Sequence, residues 1–161
     1  MVSTRRKIVL ETEPDIALRA KILEPLDTDN YVAAGPGHWG LLVVTVRDQD
    51  GTIIGGLWGQ TGYGFLFVEF LALGPVKGMG LGREVMELAE QEAKRRGLVG
   101  IWLDTFSFQA PNFYFKLGFE EFGRVVDFPP GHSRIFYVKR FSSAGGHGVG
   151  CHSDNAKPGP K

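Results

Sequence analysis

The sequence predicts a single α/β (α+β) domain built on a mixed, mostly antiparallel sheet of six to seven strands flanked by helices. Three observations predict it. A meander of strand-like segments runs from Leu41 to Leu73, a glycine cluster and an amphipathic segment follow it, and a short helix-like block then leads into two more strands ending near Phe141. At 161 residues with 43% hydrophobic and 22% charged residues, the chain can bury one sizeable core. The domain is expected over residues 1–141, with residues 142–161 as a disordered tail, because Ser, Gly, His, Asn, Lys and Pro dominate there without helix or strand periodicity.

Taken in order, Lys7 to Glu11 reads as a strand and Pro14 to about Tyr31 as helical material. Leu41 to Val46 and the segment from Thr52 towards Gln60 form a hairpin signal around Asp50-Gly51, whose glycine tolerates the positive φ of a tight turn. Thr61-Gly62-Tyr63-Gly64 is a second turn, and Phe65 to Leu73, rich in aromatic and branched residues, is the third strand of the meander. Beyond the glycines, Val85, Leu88, Ala89 and Ala93 recur at helical spacing, with Glu90/Lys94 and Glu92/Arg96 four apart on the opposite face. Gly97 fits a helix stop. Val99 to Thr105 reads as a strand, Ala110 to Leu117 as a short helix with Pro111 in its first turn, and Gly118 as its stop. Phe119 to Phe128 and Arg134 to Phe141 flank the turn Pro129-Pro130-Gly131.

Composition narrows the class of partner. Eighteen Lys and Arg balance eighteen Asp and Glu, which gives none of the basic excess of nucleic-acid binders and favours a small molecule over nucleic acid. One cysteine, Cys151, excludes an internal disulfide and a Cys-x-x-Cys metal site. His147, Cys151, His152 and Asp154 are metal-capable, but their glycine-rich context argues for chance, and no metal is expected. The apolar run before Glu11 is too short for a signal-peptide core or a membrane span, so a cytoplasmic protein without a membrane partner is expected. A homodimer is compatible with the sequence, which leaves the oligomeric state open.

Lys77-Gly78-Met79-Gly80-Leu81-Gly82-Arg83 joins a strand to a helix, where glycines let backbone N–H groups approach an anion at the positive end of that helix. A turn needed only for chain direction would also contain glycines. A dinucleotide fold is the rival, with Asp104 near the place of a ribose-binding carboxylate, but Arg83 stands where its third glycine belongs and the cluster follows an antiparallel meander. A Walker A loop lacks its Gly-Lys-Ser/Thr.

Two blocks in this order resemble the GNAT acetyltransferase family. Lys77-Gly78-Met79-Gly80-Leu81-Gly82 is similar to its pyrophosphate motif Gln/Arg-x-x-Gly-x-Gly/Ala, and Ala110-Pro111-Asn112-Phe113-Tyr114-Phe115-Lys116-Leu117-Gly118-Phe119 to its block Ala-x-x-Phe-Tyr-x-Lys-x-Gly-Phe. The element order from Lys7 to Phe141 follows the same pattern. Lys77 replaces the usual Arg or Gln, keeping charge but not a planar fork. One residue rather than two separates it from Pro75, and Ser107 takes the place of an Asn that binds the pantetheine arm in many members. The resemblance implies the GNAT fold, acetyl-CoA as acyl donor, and transfer to a primary amine by direct attack through a tetrahedral intermediate. It implies cofactor contacts from Leu71, Ala72, Leu73, Lys77, Gly78, Met79, Gly80, Leu81, Gly82, Arg83, Ser107 and Asn112. It also implies that Tyr114 protonates the leaving thiolate.

Such chemistry needs a neutral nucleophile, and an alkyl ammonium with a pKa of about 10 loses its proton at pH 7 at a cost of about 4–5 kcal/mol. A base or water relay is therefore required. Glu69, interrupting the apolar strand Phe65 to Leu73, is the leading candidate, and Asp104 and His132 are the others. Trp39, Trp58 and Phe106 suit either an apolar acceptor pocket or ordinary packing. A small-molecule amine is the expected acceptor. A protein lysine or N-terminal amine, and a non-catalytic acyl-CoA sensor, are the alternatives.

Overall fold

The computed structural model describes residues 7–74 and 78–142. Pro75, Val76 and Lys77, and residues 143–161, lie outside the described residues, so the expectations placed on Lys77 and on the tail beyond Ser142 have no structural counterpart.

The elements follow the predicted order with one exception: α1 (Ile16–Ala34), β1 (Gly40–Arg47), β2 (Ile53–Gly62), β3 (Phe65–Ala72), α2 (Leu81–Arg95), β4 (Gly100–Phe106), α3 (Pro111–Lys116), β5 (Glu120–Val126) and β6 (Ser133–Arg140). The exception is Lys7 to Glu11, which forms no strand, and Ile8 and Leu10 are exposed there. A strand is stable only with a ladder partner, and the three apolar residues Ile8, Val9 and Leu10 without one have nothing to bury against. Asp15 caps α1 through its side chain, which accepts from Leu18 N–H at 2.7 Å.

One six-stranded sheet has the order β1-β2-β3-β4-β6-β5. Every pairing is antiparallel except β3 with β4. One parallel neighbour in an antiparallel meander requires a crossover, and α2 supplies it. Val85, Met86, Ala89 and Ala93 of α2, with Tyr114 of α3 and its C-cap Leu117, pack on one sheet face against Leu42, Leu57, Leu66, Val68, Ile101, Leu103 and Ile135. Leu88, expected on this apolar stripe, is instead half exposed. It sits beyond the edge of the arc that Val85, Ala89 and Ala93 define. The Glu90–Lys94 and Glu92–Arg96 pairs form as predicted, at 2.6 and 2.7 Å.

Among the described residues no helix packs on the opposite face. The register places Leu41, Gln60, Phe67, Trp102, Val138 and Glu120 in one row across it, with Phe67 and Trp102 stacked at 4.0 Å. No residue of α1 is buried, and Ile16, Ile22, Leu26, Tyr31 and Val32 are exposed on it. The chain leaves α1 through Gly35 and is pinned again at Gly37, whose carbonyl accepts from Tyr63 N–H at 2.7 Å.

Candidate active site

The site arises where β3 and β4 separate. Their ladder holds only from Phe65/Gly100 to Val68/Leu103, although β3 runs on to Ala72 and β4 to Phe106. The cause lies on the other side of β3. Trp58 pairs with Phe70 but Gly59 with Val68, so Glu69 is the extra residue of a bulge, and a bulge bends its strand. Gly59 makes this possible, because a Cβ there would stand 2.7 Å from the Phe67 carbonyl oxygen. Beyond the bulge the β4-facing edge of β3 has no ladder partner, which leaves backbone groups there for something else.

A cleft of about 830 Å³ opens in this gap and extends to the start of α2. The turn before α2 has Gly78 at φ 90° and Gly80 at φ 84°, conformations that side-chain-bearing residues rarely adopt, and a Cβ added to either would meet nothing within 4 Å. Gly80 is the N-cap and offers no capping side chain; its carbonyl accepts from Arg83 N–H at 3.0 Å, which leaves the N–H groups of Leu81 and Gly82 without a partner among the described residues and available to an outside acceptor. Gly82 serves a different purpose. A Cβ there would lie 3.1 Å from Leu73 Cδ1 and 3.2 Å from Phe113 Cζ, so its absence lets β3, α2 and α3 converge. Open glycines at an uncapped helix start, opening onto an elongated cleft, fit a pyrophosphate with an extended arm.

Of the residues singled out from sequence, Glu69, Leu71, Ala72, Leu73, Gly78, Gly80, Gly82, Arg83, Asp104 and Tyr114 line this cleft. Met79 is exposed and Leu81 opens α2, neither lining it. Asn112 is exposed on α3 outside the lining. Ser107 is tied to Ser133, whose carbonyl accepts from Ser107 N–H at 2.8 Å and whose N–H donates to Ser107 Oγ at 3.1 Å. Trp39 packs over Gly37 and Gly62, and Trp58 lies on the β2–β3 face, both outside the cleft lining. Phe70, Phe108, Gln109 and Phe113 line the cleft without having been singled out for it. For Phe108 and Gln109 the available signal was their place just before Ala110-Pro111. Gln109 Oε1 accepts from Thr105 Oγ1 at 2.8 Å and from Phe106 N–H at 2.9 Å, holding the loop after β4.

Tyr114 is buried, with its ring against Phe113, Phe119 and Tyr137. No protein hydrogen bond engages its hydroxyl among the described residues, and the residue borders the cleft, so the O–H is free to donate into it. Burial, and secondarily the negative charge of Asp104, push this phenol up to about 12. Asp104 is committed elsewhere: Arg134 grips it with two bonds, Nε–Oδ2 at 2.6 Å and Nη2–Oδ1 at 2.8 Å. His132 lies edge-on to Phe108 at 4.9 Å, outside the cleft lining. Glu69, half-buried, accepts a hydrogen bond from the Gln60 side-chain amide and forms no ion pair among the described residues. Of the three candidate bases, Glu69 therefore has the carboxylate least committed to a cation.

The sequence model of the acetyltransferase (GNAT) family matches residues 9–119. The chain belongs to the GNAT acetyltransferase family. An acetyltransferase of Agrobacterium fabrum is 31% identical over 134 residues, spanning 83% of this chain and 98% of the relative. The blasticidin-S acetyltransferase of Streptomyces morookaense is 34% identical over 93 residues, 56% of this chain and 68% of that protein. Among solved structures, an acetyltransferase from Bacillus cereus superposes with a TM-score of 0.71 at 30% identity, covering 82% of this chain and 98% of its own. Like its GNAT relatives the protein is an N-acetyltransferase, and acetyl-CoA as acyl donor goes with that membership. No helix among the described residues is long and apolar enough to cross a membrane.

Proposed function

We propose that this GNAT enzyme transfers the acetyl group of acetyl-CoA to a primary amine of a small molecule by direct attack. What carries the reading is the polarity of the cleft. At one end lies the α2 start without a capping side chain, with Arg83 beside it loosely paired to Glu87 at 3.6 Å, and at the bulge lies Glu69, which forms no ion pair among the described residues; Lys116 and the Arg134-bound Asp104 also line the cleft. An anionic donor suits the first end and a cationic amine the second. The blasticidin-S acetyltransferase, named for a small molecule, supports the same class of acceptor.

Bound acetyl-CoA would supply an activated thioester. The chain's residues do the rest. Gly78 and Gly80 admit the pyrophosphate, Gly82 lets α2 pack close enough to hold that turn, Lys77 and Arg83 add charge, and Leu71 to Leu73 offer backbone edges to the arm. Glu69, directly or through water, accepts the proton that the ammonium must lose, and Tyr114 donates a hydrogen bond towards the sulfur. We place the enzyme in the cytoplasm as a homodimer with no nucleic-acid or membrane partner.

Release of free thiol from acetyl-CoA, measured against a panel of amines, tests this reading. Acceptor-dependent release is expected, with Glu69→Gln lowering kcat/KM for the amine by about 10- to 100-fold while coenzyme A affinity holds. Coenzyme A binding without release for any amine would make the protein a sensor.

A further inference from the structure

The loop after β4 carries rings that the transfer step does not use. Phe106 and Phe108 stack at 5.2 Å with planes 5° apart, Phe128 meets Phe106 edge-on at 5.9 Å, and His132 meets Phe108 at 4.9 Å. Arg134, held by Asp104, lies over Phe106, Phe128 and Phe136 at 5.7 to 5.8 Å. Gln109 bonds to Thr105 and Phe106, so the loop is fixed on both sides of Phe108. Despite these contacts Phe108 stays 55% exposed, and it borders the cleft that also contains Glu69. Phe70, 64% exposed, borders the same cleft from β3 on the other wall.

An exposed phenyl ring on a locked loop is a surface with a partner in view, because leaving it in water forfeits apolar burial and held rings cannot fold away. A second aromatic plane gains most from such a surface, through offset or edge-on packing that a saturated body of the same size cannot make. We infer that the acceptor is an amine joined to a planar aromatic or heteroaromatic ring, the ring packing on Phe108 and the ammonium facing Glu69. This rests on the acetyltransferase reading and names its substrate class. If the rings merely capped one another, planarity of the acceptor would be irrelevant.

The test compares 2-phenylethylamine with 2-cyclohexylethylamine, which match in charge and approximate size but differ in planarity. Calorimetric titration into the full chain saturated with coenzyme A gives affinity, and thiol release gives kcat/KM. The aromatic amine is expected to be favoured about 3- to 10-fold. Phe108→Leu should abolish the preference and Phe108→Tyr should keep it, with coenzyme A affinity measured in each variant to show that it folds. Equal treatment of the two amines, a preference that survives Phe108→Leu, or no binding of either amine to the coenzyme A complex would overturn the inference while leaving the acetyltransfer reading in place. Failure of acetyl-CoA itself to bind would bring down that reading instead.

Discussion

Tyr114 keeps its ring buried against Phe113, Phe119 and Tyr137 while the residue borders the cleft. The Phe113-Tyr114-x-Lys116-x-Gly118-Phe119 frame marks it in the sequence, and from the frame alone it is an ordinary phenol near 10. Its value of about 12 comes from burial and from Asp104 on another element, and no local motif records either. At neutral pH the hydroxyl is therefore protonated and able to donate. Full transfer to a thiolate of about 8.5 would be uphill by roughly 5 kcal/mol, so its main contribution is a hydrogen bond to charge developing on sulfur. Tyr114→Phe should lower kcat about 100-fold with coenzyme A affinity unchanged, read by single-turnover kinetics; a near-normal rate with chemistry limiting would remove Tyr114 from the mechanism. The same burial predicts a stability effect. The folded-state value lies above the unfolded value of about 10, so the native state holds the proton more tightly between pH 10 and 12. Stability complete below pH 10 is therefore lost as pH rises towards 12, by about 2–3 kcal/mol. Denaturant titrations across that range should show this loss in the wild type and not in Tyr114→Phe.

At the scale of elements, the strong patterns were readable because each satisfies itself locally. The α2 stripe, the Asp50-Gly51 hairpin and the Pro111 to Gly118 helix need only near neighbours to declare themselves. The N-terminal strand failed because a strand is a property of two segments, and its partner cannot be read from Lys7 to Glu11 alone. The bulge at Glu69 was hidden for a similar reason: it exists only in the pairing of β3 with β2. What the sequence offered was a charge interrupting an apolar run, enough to flag the residue but not the splay it creates. The glycine turn allows a direct test. Gly80→Val forces a branched residue into a left-handed backbone with open space around it, so the strain is about 1–2 kcal/mol and the melting temperature should drop by only about 2–8 °C. Coenzyme A affinity, measured by titration calorimetry, should fall at least about 10-fold, since the new side chain stands where a phosphate must approach. Intact affinity would move the donor site elsewhere.

At the scale of the whole molecule, α1 and the uncovered sheet face each display apolar groups without cover, and a sheet face of this kind is normally buried by a helical layer. In the homodimer proposed above, α1 of each chain would cover the sheet of the other, and sedimentation at micromolar concentration should then show a dimer. Val43→Asp on that face should yield monomers. Truncation after Phe141 should leave turnover and melting temperature unchanged, since the core among the described residues is built from residues between Leu42 and Phe141; a substantial loss of either would make the tail part of the domain. The four-pair ladder between β3 and β4 bears on how such an enzyme diversifies. Among the described residues it is the only strand pairing between a β1-β2-β3 unit carrying the glycine turn and a β4-β6-β5 unit carrying the aromatic loop. A seam this short lets the second unit be exchanged almost as a cassette. Chimaeras joined near Leu98 with related acetyltransferases should keep the glycine turn of one parent and take the aromatic loop of the other, so that a new specificity is reached by recombination, at a cost in rate wherever Tyr114 of one parent no longer matches Glu69 of the other across the cleft.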